Sequence, residues 1–233
     1  MDFGKAFVFM FEDPDWLRKL GIGTLVVLIG TLFSPILIGL VPLLIVAGYC
    51  LDVLRNVMEG REYPLPEWED WVGFLVRGLR LAGVLIVWAL PLIIGAIPMG
   101  IGSALLDNRS GGAQAVGVLL LICGSCLALL WGLFLFLLSP AIYARLARTG
   151  RFGAAFDLVK LWDFTRANLG NVIVAVLLTW VADLIAAIGG SLLGVIAVVI
   201  GLLVTIPFAT LWSYLVQAHL YGQVARQSEV PVE

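Results

Sequence analysis

Few residues in this chain have types and spacing that could do chemistry. Cys123-Gly-Ser-Cys126 has the spacing of a redox or metal pair. A structural zinc needs four ligands, and the pair sits inside an apolar stretch of a chain with one histidine. Two small buried thiols packed like alanine are therefore expected. Asp183 is the one charged residue deep within the long apolar segments. A carboxyl in a membrane helix marks either a transport or proton site or a structural hydrogen bond, because its burial is costly. Asp52, Arg55 and Glu59 stand three and four residues apart, the spacing of a helical ion-pair ladder. They form either a mutually neutralised helix end or a headgroup or partner site built on Arg55. His219 stands alone beside Gln217 near an expected helix end and is read as a satisfied interfacial side chain. No serine–histidine pair, phosphate loop or dinucleotide fingerprint accompanies them. No enzyme activity, cofactor or metal is expected.

The elements that position these residues are dictated by composition. Of 233 residues, 61% are hydrophobic and 13% charged, against roughly 45–50% and about 25% in soluble domains. Mean hydropathy is +1.06. Such a chain satisfies its backbone by forming helices in lipid. The expected fold is all-α: a polytopic transmembrane bundle of about six spans, arranged as three helix pairs with interfacial amphipathic helices. Residues 1–19 form an amphipathic surface segment, with Phe3, Phe7, Met10 and Phe11 on one face. Its early acids argue against a signal peptide. Residues 20–222 form the transmembrane domain, and 223–233 a polar tail. The spans are Leu20 to Phe33, Pro35 to Met58, Val72 to Leu106, Ala113 to Arg148, Leu169 to Gly189-Gly190, and Ser191 to Tyr221. Pro91, Pro98, Pro140 and Pro207 are expected kinks. The first span is about 21 Å long at 1.5 Å per residue. It either draws Arg18 and Lys19 inward or is re-entrant, which leaves four or six full crossings. On this boundary Asp183 lies roughly 9 Å below the outer helix end. Polar connectors at 59–71 and 150–168 lie at the interface, the second with Phe152, Phe156, Val159 and Phe164 on its apolar face.

Charge orients the bundle. With both termini cytoplasmic, thirteen of the fourteen basic residues fall inside, and Arg109 alone lies outside, as the positive-inside rule requires. The inner membrane is the expected location. A net charge of -2 without a basic run excludes nucleic acid as a partner class. Each helix pair repeats an aromatic–base–glycine mouth and a proline–tyrosine pair: Pro42 and Tyr49, Pro140 and Tyr143, Pro207 and Tyr214. Small residues recur every four positions at Ala182, Ala186, Gly190 and Gly194, and at Gly124, Ala128 and Gly132. Such ladders allow close helix approach, within the chain or across a homo-oligomer seam.

The run Gly48-Tyr49, Asp52, Arg55, Gly60, Leu65-Pro66-Glu67-Trp68, Asp70 and Gly78 resembles the domain-of-unknown-function 4013 family of prokaryotic integral membrane proteins. The Asp-Trp-Leu that closes the N-terminal segment and the stretch from Trp162 to Gly170 fit as well. Tyr-Pro-Leu-Pro carries one proline beyond the pattern. More distantly, the chain is similar to the membrane domain attached to some glycerophosphodiester phosphodiesterases, without a catalytic domain. The resemblance implies a topology and no activity. Candidate functional residues are Asp183, Asp52, Arg55 and Trp68. The expected role is a scaffold, an accessory subunit of a membrane complex or a lipid-organising factor, with membrane lipids and other membrane subunits as partners. The alternative is a small transporter or lipid-handling protein that uses Asp183.

Overall fold

A computed structural model describes residues 2–108, 110–196 and 201–228. Arg109, the base expected alone on the outer side, lies outside the described residues. Eight α-helices occur among the described residues: α1 (Phe3–Val8), α2 (Trp16–Phe33), α3 (Leu40–Glu59), α4 (Trp71–Leu106), α5 (Gly111–Thr149), α6 (Leu158–Ala167), α7 (Leu169–Ile196) and α8 (Leu202–Gln227). Six of them (α2, α3, α4, α5, α7 and α8) are long and apolar enough to cross a membrane. The protein is an all-α, multi-pass membrane bundle.

The chain divides into two compact units. The first comprises Met1–Ala82 and Ser139–Glu233, the second Gly83–Leu138. The second unit is a helical hairpin from the later part of α4 and the earlier part of α5. Gly102 and Gly117 bring the two backbones together, each close to the other's carbonyl. Trp88, Trp131 and Phe134 form an aromatic cluster in which the Trp131 indole donates to the Trp88 carbonyl at 3.0 Å. Cys123 and Cys126 are exposed on this hairpin, which corrects the expectation of buried thiols. Apolar exposure is ordinary on a lipid-facing helix, so sequence hydropathy could not say which side they take.

The core of the first unit is α8. It is the least apolar of the six long helices, yet from Leu215 to Ala225 only Gln217 escapes full burial. A helix buried on all sides is normally apolar all round. Here most of the polar side-chain atoms find partners instead, the Gln223 Oε1 excepted. Gln223 donates to the Asp2 carbonyl at 2.9 Å and lies 3.1 Å from the His219 ring. Phe9 stacks on His219 at 4.3 Å. Tyr221 meets Ser139 at 3.1 Å and Gln217 at 3.3 Å.

Several expected boundaries move. The helix expected from Pro35 begins at Leu40, after a 3-10 turn over Ser34–Ile36 and Leu37 at φ 61°. The fifth span does not stop at Gly189-Gly190 but continues to Ile196, so residues assigned to the start of the sixth belong to α7. The reason is packing: α8 presses against the missing side chains of Gly190 and Gly194. The 182–194 ladder therefore packs within the chain. The sixth helix extends past Tyr221 to Gln227. In the N-terminal segment Ala6, Phe9 and Met10 are buried against the protein, while Phe3 and Phe11 of the expected apolar face are exposed. A 3-10 turn over Phe9–Glu12 breaks the α-helical periodicity that the expectation assumed. In the second connector Leu161 and Phe164 are buried, whereas Phe152 and Val159 face outward.

Candidate functional site

The connector between α3 and α4 is a staple rather than a loose loop. Trp68 is 7% exposed and lies flat on Tyr49 at 4.1 Å and 6°, with the Phe74 ring edge-on at 5.7 Å. Its indole nitrogen donates to the Lys19 carbonyl at 2.9 Å. The Tyr49 hydroxyl donates to the Pro66 carbonyl at 3.1 Å, and the Asn56 amide to the Pro64 carbonyl at 2.8 Å. The two prolines matter because their carbonyls accept while they offer no N–H of their own. One tryptophan thus fastens α2, α3 and α4 together.

Beside it lies a buried ion network. Lys19 is 6% exposed and Asp13 2%. Their charges meet at 2.8 Å, and the ammonium also reaches Glu67 at 3.1 Å and the Leu65 carbonyl at 3.1 Å. Glu67 in turn takes Arg18. A buried ammonium is tolerated only when paired and hydrogen-bonded, and here all three of its donors are engaged. The first long helix, α2, starts at Trp16 and includes both bases in its opening turns, Lys19 buried and Arg18 exposed.

One turn from Tyr49, Asp52 sits between Arg77 at 2.9 Å and Arg55 at 3.5 Å. Arg55 also lies 3.8 Å from Glu59, so the expected ladder is present. Arg77 also binds the exposed Asp70 at 2.8 Å, and its guanidinium holds that carboxyl below the usual aspartate range. The Gly73 amide adds a further bond at 2.9 Å. Arg80 donates to the Gly150 carbonyl at 3.0 Å, where α5 ends with Gly150 at φ 61°. Asp52, Arg55, Arg77, Arg80 and Arg148 line, with the last turn of α5, a cleft of about 210 Å³. Arg145, one turn earlier on α5, is buried, with Asp157 at 3.6 Å; among the described residues its Nε and Nη1 have no hydrogen-bond partner.

Asp183 does not join these groups. It points outward from the middle of α7, and α7 extends about 20 Å beyond it. Helix register fixes its depth. Gly190 abuts Ala209, and seven residues along antiparallel helices bring Asp183 level with Val216. Gly23 abuts Leu211, and four residues bring Lys19 level with Leu215. Asp183 thus shares its depth with the Lys19 network and is one member of a charged belt. Among the described residues no group of three metal-ligating side chains converges.

Six membrane-length helices and a belt of paired charges at one depth define a multi-pass α-helical membrane protein. The model of the family DUF4013, a protein of unknown function, matches residues 29–206, and the chain belongs to that family. No curated protein and no solved structure matches it.

Of the sequence candidates, Asp52 and Arg55 meet in the cleft, Trp68 is the staple beside it, and Asp183 stands apart. The sequence reading missed Asp13, Lys19, Tyr49, Arg77, Arg80 and Arg148. A signal existed for the arginines: Arg77 and Arg80, and Arg145 and Arg148, are base pairs three residues apart on helix ends.

Proposed function

We propose that the protein is a non-enzymatic integral membrane protein that organises the lipid around it, as a scaffold or an accessory subunit of a larger membrane complex. It resides in the cytoplasmic membrane with both termini inside, and its partners are lipids and other membrane subunits. The observation that carries this reading is the use of the belt charges. Asp13, Lys19, Glu67, Asp52, Arg77 and Asp70 bind one another, which holds helices in place. Each of them is engaged with a charge of opposite sign on the chain itself. Aromatic side chains at the same depth, among them Trp68 and Trp71, favour the headgroup boundary.

The transporter reading rests on Asp183. A coupling carboxyl works from a midplane cavity, whereas this one faces outward level with Lys19. Purification in mild detergent, followed by identification of co-purifying lipids and proteins, tests the favoured reading. A defined lipid complement or a stoichiometric membrane partner is the expected result. A pH-dependent flux in proteoliposomes that Asp183→Asn abolishes, with stability unchanged, would replace the scaffold with the transporter.

A further inference from the structure

Bases outnumber acids around the cleft between α3, the start of α4 and the end of α5. Four guanidiniums, from Arg55, Arg77, Arg80 and Arg148, surround one carboxylate, Asp52. We propose that this cleft is a phosphate site, occupied in the membrane by the phosphate of an anionic lipid headgroup. The inference rests on the lipid-organising reading for the source of the phosphate, and on the cleft alone for its chemistry.

Four features support it. Each guanidinium carries five N–H donors in a planar fork that matches phosphate oxygens in pairs, while Asp52 is the one acid that lines the cleft and Glu59 and Asp70 hold Arg55 and Arg77 from outside it. The Nε of Arg77 is buried and lacks a hydrogen-bond partner, a donor that a phosphate oxygen in the cleft would satisfy. The volume, about 210 Å³, falls below the range of roughly 300–1,000 Å³ typical of sites for whole organic ligands, so the cleft suits the phosphate and leaves the rest of a lipid outside. Finally, Asp52 lies one helical turn from Tyr49, which stacks on Trp68, so the cleft sits at the belt depth where headgroups run. The end of α5 presents carbonyls that would repel an anion. Arg80 caps one of them, at Gly150, and Arg148 adds a cation to the same turn. Asp52 keeps two arginines extended across the floor, as a positioning residue.

The test uses the full chain in nanodiscs and in detergent. Retention of phosphatidylglycerol against phosphatidylcholine is measured for the wild type, for Arg55→Gln with Arg148→Gln, for Arg55→Lys, and for Arg166→Gln as an exposed base outside the cleft. The double variant is expected to lose about tenfold in phosphatidylglycerol preference, Arg55→Lys to lose part of it, and Arg166→Gln to lose none. Elution volume and thermal midpoint without added lipid identify a variant that has failed to fold. In that case phosphatidylglycerol protection of Arg77 and Arg80 from an arginine-selective dicarbonyl reagent in the wild type replaces the comparison. Protection by lipid and not by inorganic phosphate assigns the site to headgroups, and equal protection by both assigns it to free phosphate. Equal retention by the wild type and the double variant overturns the cleft while leaving the lipid-organising reading intact. Equal losses in the double variant and Arg166→Gln show surface charge alone and also overturn it. Absence of any lipid preference or phosphate protection in the wild type removes both readings.

Discussion

Trp68 does three things at once: its face covers Tyr49, its edge meets Phe74, and its nitrogen caps the Lys19 carbonyl. Trp68→Ala should therefore cost about 3–5 kcal/mol, as large aromatic truncations in packed sites do. Trp68→Phe keeps the stack and loses the hydrogen bond, so it should cost about 1 kcal/mol. Thermal midpoints in detergent rank the two, and equal losses would mean that stacking contributes little. Asp70 offers a test by pH. Arg77 lowers its pKa, so its stabilising contribution is present above the ordinary carboxylate value of about 3.9 and disappears as pH falls through the lowered one. Asp70→Asn should lower the midpoint at neutral pH, and the gap from wild type should close on acidification. A gap that is independent of pH would assign the loss to the Gly73 amide bond alone. Asp183→Asn should change stability by about 1 kcal/mol or less, the scale of intramembrane hydrogen bonds. At this scale the sequence announced that Leu-Pro-Glu-Trp and the Asp52–Arg55–Glu59 ladder were special, but not what they touch. Two of the partners of Trp68, Tyr49 and Lys19, lie 19 and 49 residues away in the chain, and no local pattern encodes such distances. Lys19 looked like a snorkelling interfacial base because two of its partners, Glu67 and the Leu65 carbonyl, arrive from a distant connector and join Asp13 around it.

Between elements, the closest approach in the first unit is α3 against α4. A Cβ built at Gly48 would overlap the Phe74 carbonyl, and one at Gly78 the Leu44 carbonyl. These obstacles are backbone and cannot rotate aside, so Gly48→Ala must separate the helices. A loss of at least about 1–3 kcal/mol is expected. Gly170 on α7 has open space where a Cβ would stand, so Gly170→Ala should be neutral or slightly stabilising through helix propensity. If the two substitutions behave alike, the close approach is not what Gly48 provides. The existence of six long helices was legible because apolar length alone specifies them. Their ends were less so. Glycine reads as a terminator in water, but inside a bundle Gly190 admits a neighbouring helix and the helix continues. The three proline–tyrosine pairs that suggested a repeat also part company: Tyr49 is buried in a stack, Tyr143 packs edge-on to Tyr221, and Tyr214 is exposed.

For the molecule as a whole, sidedness is open to measurement. In a background with Cys50, Cys123 and Cys126 replaced by alanine, a cysteine at Arg61 or Arg151 should resist an impermeant maleimide added outside, while one at Ser110 should react. A cysteine at Ser34, in the turn that closes the short α2, should react more slowly than Ser110. Equal rates would make α2 a full span, and outside labelling at Arg151 would invert the orientation. The sequence made α8 look like one span among six, because hydropathy ranks helices by their affinity for lipid and is blind to centrality. Yet the last of the long helices is the post around which the first unit is built, and Gln223 reaches back to Asp2, the two lying 221 residues apart. This has a consequence in time as well as in space. A ribosome delivers α1, α2 and α3 long before the helix that completes their packing, so their inward faces must wait in the membrane without their partner. Assembly of this unit is held back until its final segment emerges, and a nascent chain halted before Leu215 has spans but no centre.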